Sequence, residues 1–298
     1  MNTLIGVGVA LVTPFDENNK VDFDTLGRLI EFQIEGAVDY LVILGTTGET
    51  ATLSMNEKKE IFSYVAKKVN GRIPLVAGIG GNNTGELLNS INEIDLSPYA
   101  AILSVSPYYN KPTQEGIYLH YAAIAEATNT PIIIYNVPGR TGSNVNAKTI
   151  VRLANDFDNI VGVKDASGDF EQYNMIMREK PAGFHLISGD DANFLPMVSL
   201  GAVGLISVAG NAFPKEIKQL TDFALENRWS EARVIHFALS PLFELCFTES
   251  NPAGIKAILN QIGKCSERTR LPLIPVTEPT RQQIKQEVEQ LKNKKGQS

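Results

Sequence analysis

The chain has 298 residues, of which 43 % are apolar and 20 % are charged, a composition typical of globular proteins with a sizeable core. Collagen-like, coiled-coil and disordered classes are excluded on this basis. The 27 basic and 33 acidic residues give a formal net charge of −6, so no overall basic field exists to hold a polyanion, and we expect no nucleic-acid partner. The length is about twice the average domain, which allows two modest domains or one large fold.

The cysteines and the N-terminus indicate where the protein works. The two cysteines, Cys246 and Cys265, form no CxxC motif, and no run of histidines could complete a metal site. We therefore predict no metal site and a reduced, cytoplasmic setting. The apolar N-terminus carries no basic residue before Lys20, unlike a secretory signal, and we interpret it as a first strand. No stretch reaches the roughly 18 consecutive apolar residues of a membrane-spanning helix, so we expect no membrane association.

Eight short, β-rich apolar runs alternate with longer segments of helical periodicity. Runs of consecutive apolar residues, such as Ile132-Ile133-Ile134, are typical of parallel strands that are covered on both faces. The expected strands are residues 6–13, 40–44, 74–77, 101–105, 132–135, 160–164, 185–188 and 204–208.

The intervening segments each have one apolar side, as expected of amphipathic helices. In residues 54–69, Ser54 and Glu57 have the spacing of a capping box, and apolar residues recur every four positions after it. Eight such β/α units predict a (β/α)₈ TIM barrel over residues 1–226. An open doubly wound sheet is the alternative, but the sequence contains neither GxGxxG nor a P-loop, so we expect no nucleotide or other cofactor.

Beyond residue 214 the strand pattern stops and only helical segments follow. The first of them would complete the outer ring of the barrel. The remaining three, residues 230–247, 252–262 and 280–292, predict a C-terminal three-helix extension that spans residues 227–298.

Lys164 is the main catalytic candidate, because it ends the sixth expected strand and barrel enzymes place their active sites at the C-terminal ends of strands. An amine removed from water there favours its neutral form and can attack a carbonyl to give a Schiff base. On position alone, a lysine that reaches solvent or pairs with Asp165 is the commoner arrangement. The other lysines fall on helices, surface loops or the tail, which favours Lys164.

Three further positions support this interpretation. Tyr135 ends the fifth strand and Thr46 follows the second, and a phenol linked to a hydroxyl can relay protons without a metal. The alternative is a buried tyrosine that only satisfies its hydrogen bond. Arg140 lies in a Gly/Pro-framed loop where its guanidinium could bind a carboxylate, with a surface salt bridge as the ordinary alternative.

Other polar residues are interpreted as structural. Asp190 and Asp191 are expected to cap a loop, and Glu49 is expected to hold its loop through hydrogen bonds to backbone amides. The histidines form no metal-binding motif and are interpreted as structural or surface residues: His120, His185 and His236.

Four motifs resemble the dihydrodipicolinate synthase family of pyruvate-dependent class I aldolases, which also includes N-acetylneuraminate lyase. The resemblance runs almost from end to end, and each motif stands at an expected strand end. The motifs are Gly45-Thr46-Thr47-Gly48-Glu49, Tyr135-Asn136-Val137-Pro138-Gly139-Arg140-Thr141-Gly142, Val163-Lys164-Asp165-Ala166-Ser167-Gly168 and Ser188-Gly189-Asp190-Asp191.

The resemblance implies condensation of pyruvate with aspartate 4-semialdehyde, the first committed step of diaminopimelate and lysine biosynthesis. Lys164 would form the imine and Thr47 would hold the pyruvate carboxylate. Thr46, Tyr135 and Tyr109 match the family's proton relay, in which the second tyrosine comes from the neighbouring subunit. Alternatives are another pyruvate-dependent aldolase, such as N-acetylneuraminate lyase or a 2-keto-3-deoxy sugar acid aldolase, and a catalytically silent pyruvate-binding protein.

The same resemblance assigns the remaining pocket residues. Gly189 and Ile206 match backbone positions that line the pocket, and Arg140 matches the residue that binds the carboxylate of the semialdehyde. A long neutral polyol sugar acid has less use for a cation at this position, which favours the synthase over the sialic acid lyase. The family is usually a homotetramer built as a dimer of tight dimers, and it needs no cofactor or metal.

Many relatives carry an effector site for lysine at the dimer interface. Ala51, Asn82, Glu86 and Tyr108 match that site. Met55 and Lys58, however, stand where the lysine-sensitive pattern often has histidines. Because the fixed positive charge of Lys58 opposes a cationic effector, we expect weak or absent inhibition by lysine.

Overall fold

Eight parallel strands close into a barrel in the computed structural model, which describes residues 4–295. Each strand pairs with the next along the chain, and the eighth pairs with the first, which confirms the predicted TIM barrel. The strands are β1 Gly6–Ala10, β2 Tyr40–Ile43, β3 Leu75–Gly78, β4 Ala101–Val105, β5 Ile132–Asn136, β6 Ile160–Asp165, β7 His185–Ser188 and β8 Gly204–Ser207.

Strand β1 ends earlier than residue 13, its predicted end. Beyond Leu11 the backbone leaves the sheet, because the Val12 amide donates to the Asn211 side chain (3.1 Å) instead of to a neighbouring strand. The Thr13 hydroxyl then donates to the Gly48 carbonyl (2.7 Å). The end of β1 is therefore tied to the loop that follows β2.

Helices alternate with the strands and continue after β8. The capping box predicted at Ser54 and Glu57 is confirmed at the start of α2. The helices are α1 Phe23–Glu35, α2 Met55–Val69, α3 Thr84–Glu93, α4 Gln114–Ala127, α5 Pro138–Thr141, α6 Ala147–Asp156, α7 Phe170–Glu179, α8 Phe194–Ser199, α9 Pro214–Leu225, α10 Trp229–Leu245, α11 Ala253–Gln261 and α12 Glu278–Lys295.

Two separate apolar layers form the core, as expected when successive side chains of a strand point to opposite faces. The interior cluster fills the barrel and includes Val42, Leu103 and Ile133. The outer layer joins the strands to the surrounding helices and includes Leu41 and Ile134. The barrel is thus a packed core, and open space remains at its ends rather than along its axis.

Strand β6 carries one extra residue, and this irregularity decides which of its side chains face inward. Ile132 of β5 pairs with Ile160, but the next residue of β5 pairs with Gly162. Val161 belongs to the interior cluster and Val163 to the outer layer, although strict alternation would place both on one face. The extra residue therefore turns Lys164 to the interior, beside Tyr135 in register.

The C-terminal extension packs against the barrel through α10, which contacts α9, while α12 contacts both α10 and α11. Between α11 and α12 runs an extended segment, residues 263–277, here called the C-terminal strap. Arg270 of the strap forms a bidentate ion pair with Glu57 (2.6 and 3.0 Å) at the start of α2. The division at residues 226 and 227 falls in the turn between α9 and α10 and stays a prediction.

Two kinds of feature are absent from residues 4–295: a helix that could span a membrane and a cluster of metal-binding side chains. No helix there is long and apolar enough to cross a bilayer. No group of three or more histidine, cysteine, aspartate or glutamate side chains is arranged to hold a metal ion in that range.

Candidate active site

A cavity of about 360 Å³ opens at the C-terminal ends of the strands. It is lined by residues from the loops after β2, β5, β6 and β7 and from the C-terminal extension. Six residues predicted from the sequence meet there: Thr46, Thr47, Tyr135, Arg140, Lys164 and Gly189.

Lys164 is buried in this cavity, and no carboxylate in the described part of the chain pairs with it. Its side chain is 5 % exposed, and Nζ lies 4.1 Å from the centroid of the Tyr135 ring. Asp165 points to the other side of β6, where it accepts hydrogen bonds from Asn136 Nδ2 (2.9 Å) and Gln172 Nε2 (3.0 Å). Lys164 therefore neither reaches solvent nor pairs with its neighbour, and these two alternative interpretations are wrong.

Lys256 shows that burial alone does not mark the nucleophile. It lies on a helix, as expected of the other lysines, yet its side chain is completely buried in α11. Its Nζ donates to Glu49 Oε1 (2.5 Å) and to the Arg268 carbonyl (2.7 Å). Burial lowers the pKa of Lys256, and the Glu49 carboxylate opposes that shift. Lys164 differs in having no carboxylate partner among the described residues.

Thr46 and Thr47 lie on a single 3₁₀ turn after β2, which we call the threonine turn (residues 45–49). Leu44, the residue before the turn, and Glu49, its last residue, both have left-handed backbones (φ 58° and 54°). The Thr47 hydroxyl accepts a hydrogen bond from Asn251 Nδ2 (3.1 Å). The side-chain oxygen of Thr47 is therefore held in place at the cavity wall.

The predicted proton relay is only partly assembled within one chain. Tyr135 is 6 % exposed and lines the cavity together with Thr46. Within residues 4–295 the Tyr135 hydroxyl has no hydrogen-bond partner, so no direct bond joins it to Thr46. Tyr109, which follows β4 in a left-handed conformation (φ 72°), is 89 % exposed and lies outside this cavity. Its role stays a prediction.

Gly189 and Ile206 occupy different places. Gly189 lines the cavity, and a Cβ at this position would lie 3.1 Å from Lys164 Cε and 2.8 Å from Ala166 Cβ. The missing side chain leaves room for the stem of Lys164. Ile206 is fully buried in the interior cluster and does not line the cavity, and its predicted contact with substrate remains untested.

Arg140 lies on α5, immediately after β5, and reaches the cavity from its rim. Its Nη2 donates a long hydrogen bond to the Asn251 carbonyl (3.4 Å). In the described part of the chain it forms no ion pair, so the alternative of a surface salt bridge is wrong. Its guanidinium remains available for a carboxylate ligand.

A second cavity of about 350 Å³ adjoins the first. The two share Thr46, Val137, Arg140 and Asn251. The second cavity is also lined by Ala51 from the predicted effector set. It therefore gives a side entrance to the threonine turn.

The other predicted effector residues line a third cavity of about 500 Å³ beside α2 and α3. Lys58, Asn82, Glu86 and Tyr108 lie there, together with Met55. Asn82 Nδ2 donates to the Tyr108 carbonyl (3.0 Å), which joins the loops after β3 and β4. Burial lowers the pKa of Lys58, and no carboxylate among residues 4–295 pairs with it.

The residues that we interpreted as structural have structural contacts. The Asp191 carboxylate is buried and accepts from the Ser207 hydroxyl and the Val208 amide, so it caps the loop after β8. His120 Nδ1 forms a hydrogen bond with the Thr84 hydroxyl (2.8 Å), and burial lowers the pKa of His120 to about 4. Glu49 accepts from the Arg270 amide (3.0 Å), which confirms its bond to backbone.

Sequence reasoning missed the contribution of the C-terminal extension to the cavity. Asn251 touches both Thr47 and Arg140, and Phe243, Glu244 and Phe247 complete the wall. One signal was available for the buried cation: Lys256 is the single charge in the otherwise apolar run 253–259. No local pattern pointed to Asn251.

Comparisons with known proteins agree with the geometry. A model of the Dihydrodipicolinate synthetase family matches residues 3–291. The chain is 50 % identical over 288 residues to 4-hydroxy-tetrahydrodipicolinate synthase of Parabacteroides distasonis, covering 97 % of each chain.

Two solved structures show the same fold over almost the whole length. One is dihydrodipicolinate synthase from Cyanidioschyzon merolae with lysine bound (TM-score 0.93, 38 % identity, 97 % of this chain and 99 % of that one). The other is a monomeric dihydrodipicolinate synthase variant (TM-score 0.95, 36 % identity, 98 % of each chain). This chain therefore belongs to the dihydrodipicolinate synthetase family.

Proposed function

We propose that this chain is a lyase of the class I aldolase type that condenses pyruvate with aspartate 4-semialdehyde to 4-hydroxy-tetrahydrodipicolinate, the first committed step of diaminopimelate and lysine biosynthesis. The observation that carries the proposal is a buried lysine, Lys164, that has no counter-ion within residues 4–295 and faces a cavity lined by hydroxyl groups. The amine of a lysine placed in this way can attack a carbonyl carbon and form a Schiff base.

In the first half of the reaction, Lys164 Nζ attacks the keto carbon of pyruvate, and loss of water gives an imine. The Thr47 hydroxyl, oriented by Asn251, binds the pyruvate carboxylate at the threonine turn. The protonated imine then draws electrons from the methyl group, which gives up a proton and forms the enamine. Tyr135, whose ring lies against Lys164, is placed to carry protons in these steps.

In the second half, the enamine carbon attacks the aldehyde of the semialdehyde. The amine of this substrate then adds to the imine carbon, which closes the ring and releases Lys164. Arg140, which lies at the rim and forms no ion pair within residues 4–295, binds the carboxylate of the semialdehyde. Cavity walls from β5, β6, β7 and the C-terminal extension hold the two substrates together, which replaces a bimolecular encounter by a positioned one.

We also propose that the enzyme works as a cytoplasmic homotetramer, a dimer of tight dimers. The exposed Tyr109 supports this, because a large ring that is 89 % exposed on a loop tip is poorly placed for a monomer and well placed to enter a partner's site. The second cavity, which reaches Thr46 from the side, offers the space for it. The two cysteines are free and buried, as suits a reducing compartment.

Replacing Arg140 tests the choice of aldehyde substrate. An Arg140→Met variant should raise the KM for aspartate 4-semialdehyde by about 10- to 100-fold, because a charge-assisted hydrogen bond to the carboxylate is lost. The KM for pyruvate should stay within about twofold. A coupled assay measures both constants. The control is Arg72→Met, because Arg72 lies between α2 and β3, pairs with Glu31 and lines neither of the two cavities that contain Arg140.

The same assay separates the alternatives within the family. Faster turnover of N-acetylneuraminate or a 2-keto-3-deoxy sugar acid than of the semialdehyde would overturn the proposed substrate. An unchanged KM for the semialdehyde in Arg140→Met would remove this arginine from the site.

Inhibition by lysine should be weak. The ammonium of Lys58, which pairs with no carboxylate of residues 4–295, lies in the third cavity and repels a cationic ligand at short range. In a lysine titration the unchanged protein should keep more than about half of its activity at 1 mM lysine, and Lys58→His should become more sensitive because the ring can be neutral. Strong inhibition of the unchanged protein below 1 mM would contradict this prediction.

A further inference from the structure

We propose that the buried Glu49–Lys256 ion pair is a positioning device, through which the C-terminal extension fixes the threonine turn in the geometry that binds pyruvate. The inference rests on the proposed function and adds two positioning residues to it. Neither residue lines the cavity that contains Lys164, and Glu49 lines only the adjoining second cavity, so neither is a catalytic residue.

The pair is fully buried, and both carboxylate oxygens of Glu49 accept hydrogen bonds. Both side chains are 0 % exposed. Lys256 Nζ donates to Glu49 Oε1 and to the Arg268 carbonyl, and the second carboxylate oxygen accepts from the Arg270 amide (3.0 Å). Each Glu49 oxygen is thus held by a different segment of the chain, one in α11 and one in the C-terminal strap.

The backbone of Glu49 closes the threonine turn. Its amide donates to the Thr46 carbonyl (3.1 Å), and its left-handed φ of 54° is uncommon for a residue with a side chain. Such a conformation persists where surrounding contacts determine it. Because the carboxylate is fixed from two sides, the turn that carries Thr46 and Thr47 cannot shift without breaking the buried pair.

The C-terminal extension also forms a direct hydrogen bond to the threonine turn. Asn251, two residues before α11, donates to the Thr47 hydroxyl, and Lys256 lies one turn into that helix. One short segment, residues 251–256, therefore holds both the Thr47 side chain and, through Glu49, the end of the threonine turn. Thr13 fixes the Gly48 carbonyl from the β1 side (2.7 Å), so the turn is held between the barrel and the extension.

A contribution to stability alone does not account for the choice of residues. A buried ion pair costs desolvation of two charges, and an apolar pair of similar volume is often equally stable. The ion pair fixes the orientation of Glu49, because its short hydrogen bonds determine distances and angles that apolar packing would leave less constrained. The turn next to it is where small displacements would matter for catalysis.

The double variant Glu49→Gln/Lys256→Met tests the proposal, since it removes both charges together and leaves neither one uncompensated. In pyruvate titrations with borohydride trapping, the concentration that gives half-maximal labelling of Lys164 should rise about tenfold or more, as expected for a displaced binding group. Labelling at saturating pyruvate should still be complete. The KM for pyruvate should rise in parallel, and the KM for the semialdehyde should change by less than about threefold.

Two further variants make the result decisive. Arg281→Met, which breaks an ion pair with Glu267 in the same extension without contacting the turn, should keep the half-saturation of the unchanged protein. Glu49→Asp keeps the charge and shortens the side chain by one carbon. It should also raise the half-saturation, and it decides the question should the double variant fail to fold.

The outcomes are distinct. A lower thermal transition with unchanged half-saturation, in the double variant or in Glu49→Asp, would overturn the positioning role and leave the proposed function intact. Absence of any pyruvate adduct in the unchanged protein would refute the proposed function itself.

Discussion

A Lys164→Ala variant should fold normally and lose the reaction. The substitution shortens one side chain at the end of β6 and leaves the hydrogen bonds of Asp165 in place. Without the amine no imine forms, so turnover should fall below about one-thousandth of the original rate, as expected when a covalent nucleophile is removed. Borohydride reduction with pyruvate, followed by peptide mass mapping, should label Lys164 in the unchanged protein and no lysine in the variant.

Lys148→Ala provides the matched control, because Lys148 is exposed on α6 and lines none of the three cavities. It should keep both the adduct and the activity. Label on a lysine other than Lys164 would defeat the mechanism. Label on Lys164 without any turnover of the semialdehyde would favour a catalytically silent pyruvate-binding protein instead.

A Tyr135→Phe variant should separate proton transfer from imine formation. The ring that lies against Lys164 stays, so pyruvate should still be trapped at similar concentrations. Loss of the hydroxyl should lower kcat by about 10²- to 10⁴-fold, the range for a general acid–base group. Steady-state kinetics and trapping on the same preparation give both quantities.

Tyr121→Phe is a suitable control for this variant. Tyr121 is also buried, but its hydroxyl donates to the Ser104 carbonyl (2.8 Å) on the outer side of β4. Its loss should lower thermal stability by about 1 kcal/mol, the net value of one hydrogen bond, and leave kcat unchanged. Unchanged turnover in Tyr135→Phe would remove this residue from the relay.

The order of the barrel elements could be predicted because each one has a local signal. The capping box at Ser54 and the apolar run 132–134 follow from short-range spacing, and the structure has α2 and β5 at those places. The end of β1 was placed too late, since the Val12 amide turns to Asn211, which lies 199 residues away. A side chain so distant leaves no trace in the local pattern.

The inward direction of Lys164 follows from an irregularity that alternation does not reveal. Strict alternation from the inward Val161 would turn Val163 inward and Lys164 outward. The extra residue, Val161, reverses this. The next position is a glycine, where a Cβ would lie 2.8 Å from the His185 carbonyl oxygen. The position of Lys164 at the end of the strand predicted that it faces the cavity, which the structure shows, but the physical reason became visible only in the paired strands.

The site residues that could not be predicted are those whose partners are distant in the sequence. Asn251 meets Thr47 across 204 residues and Lys256 meets Glu49 across 207. The sequence indicated a helical extension, and the run 253–259 contained a lone charge, but nothing in either pattern specified a partner. Tyr109 is a similar case, because its predicted role needs a second chain.

The distance between Glu49 and its partners affects when the enzyme becomes complete during synthesis. A nascent chain that has emerged only as far as α9 already contains all eight strands, but it lacks Lys256 and the Arg270 amide. In that state the Glu49 carboxylate has neither of the partners that hold it in the complete protein. We therefore expect chains that end before α11 to bind the keto acid poorly, because the support of the threonine turn is synthesised last.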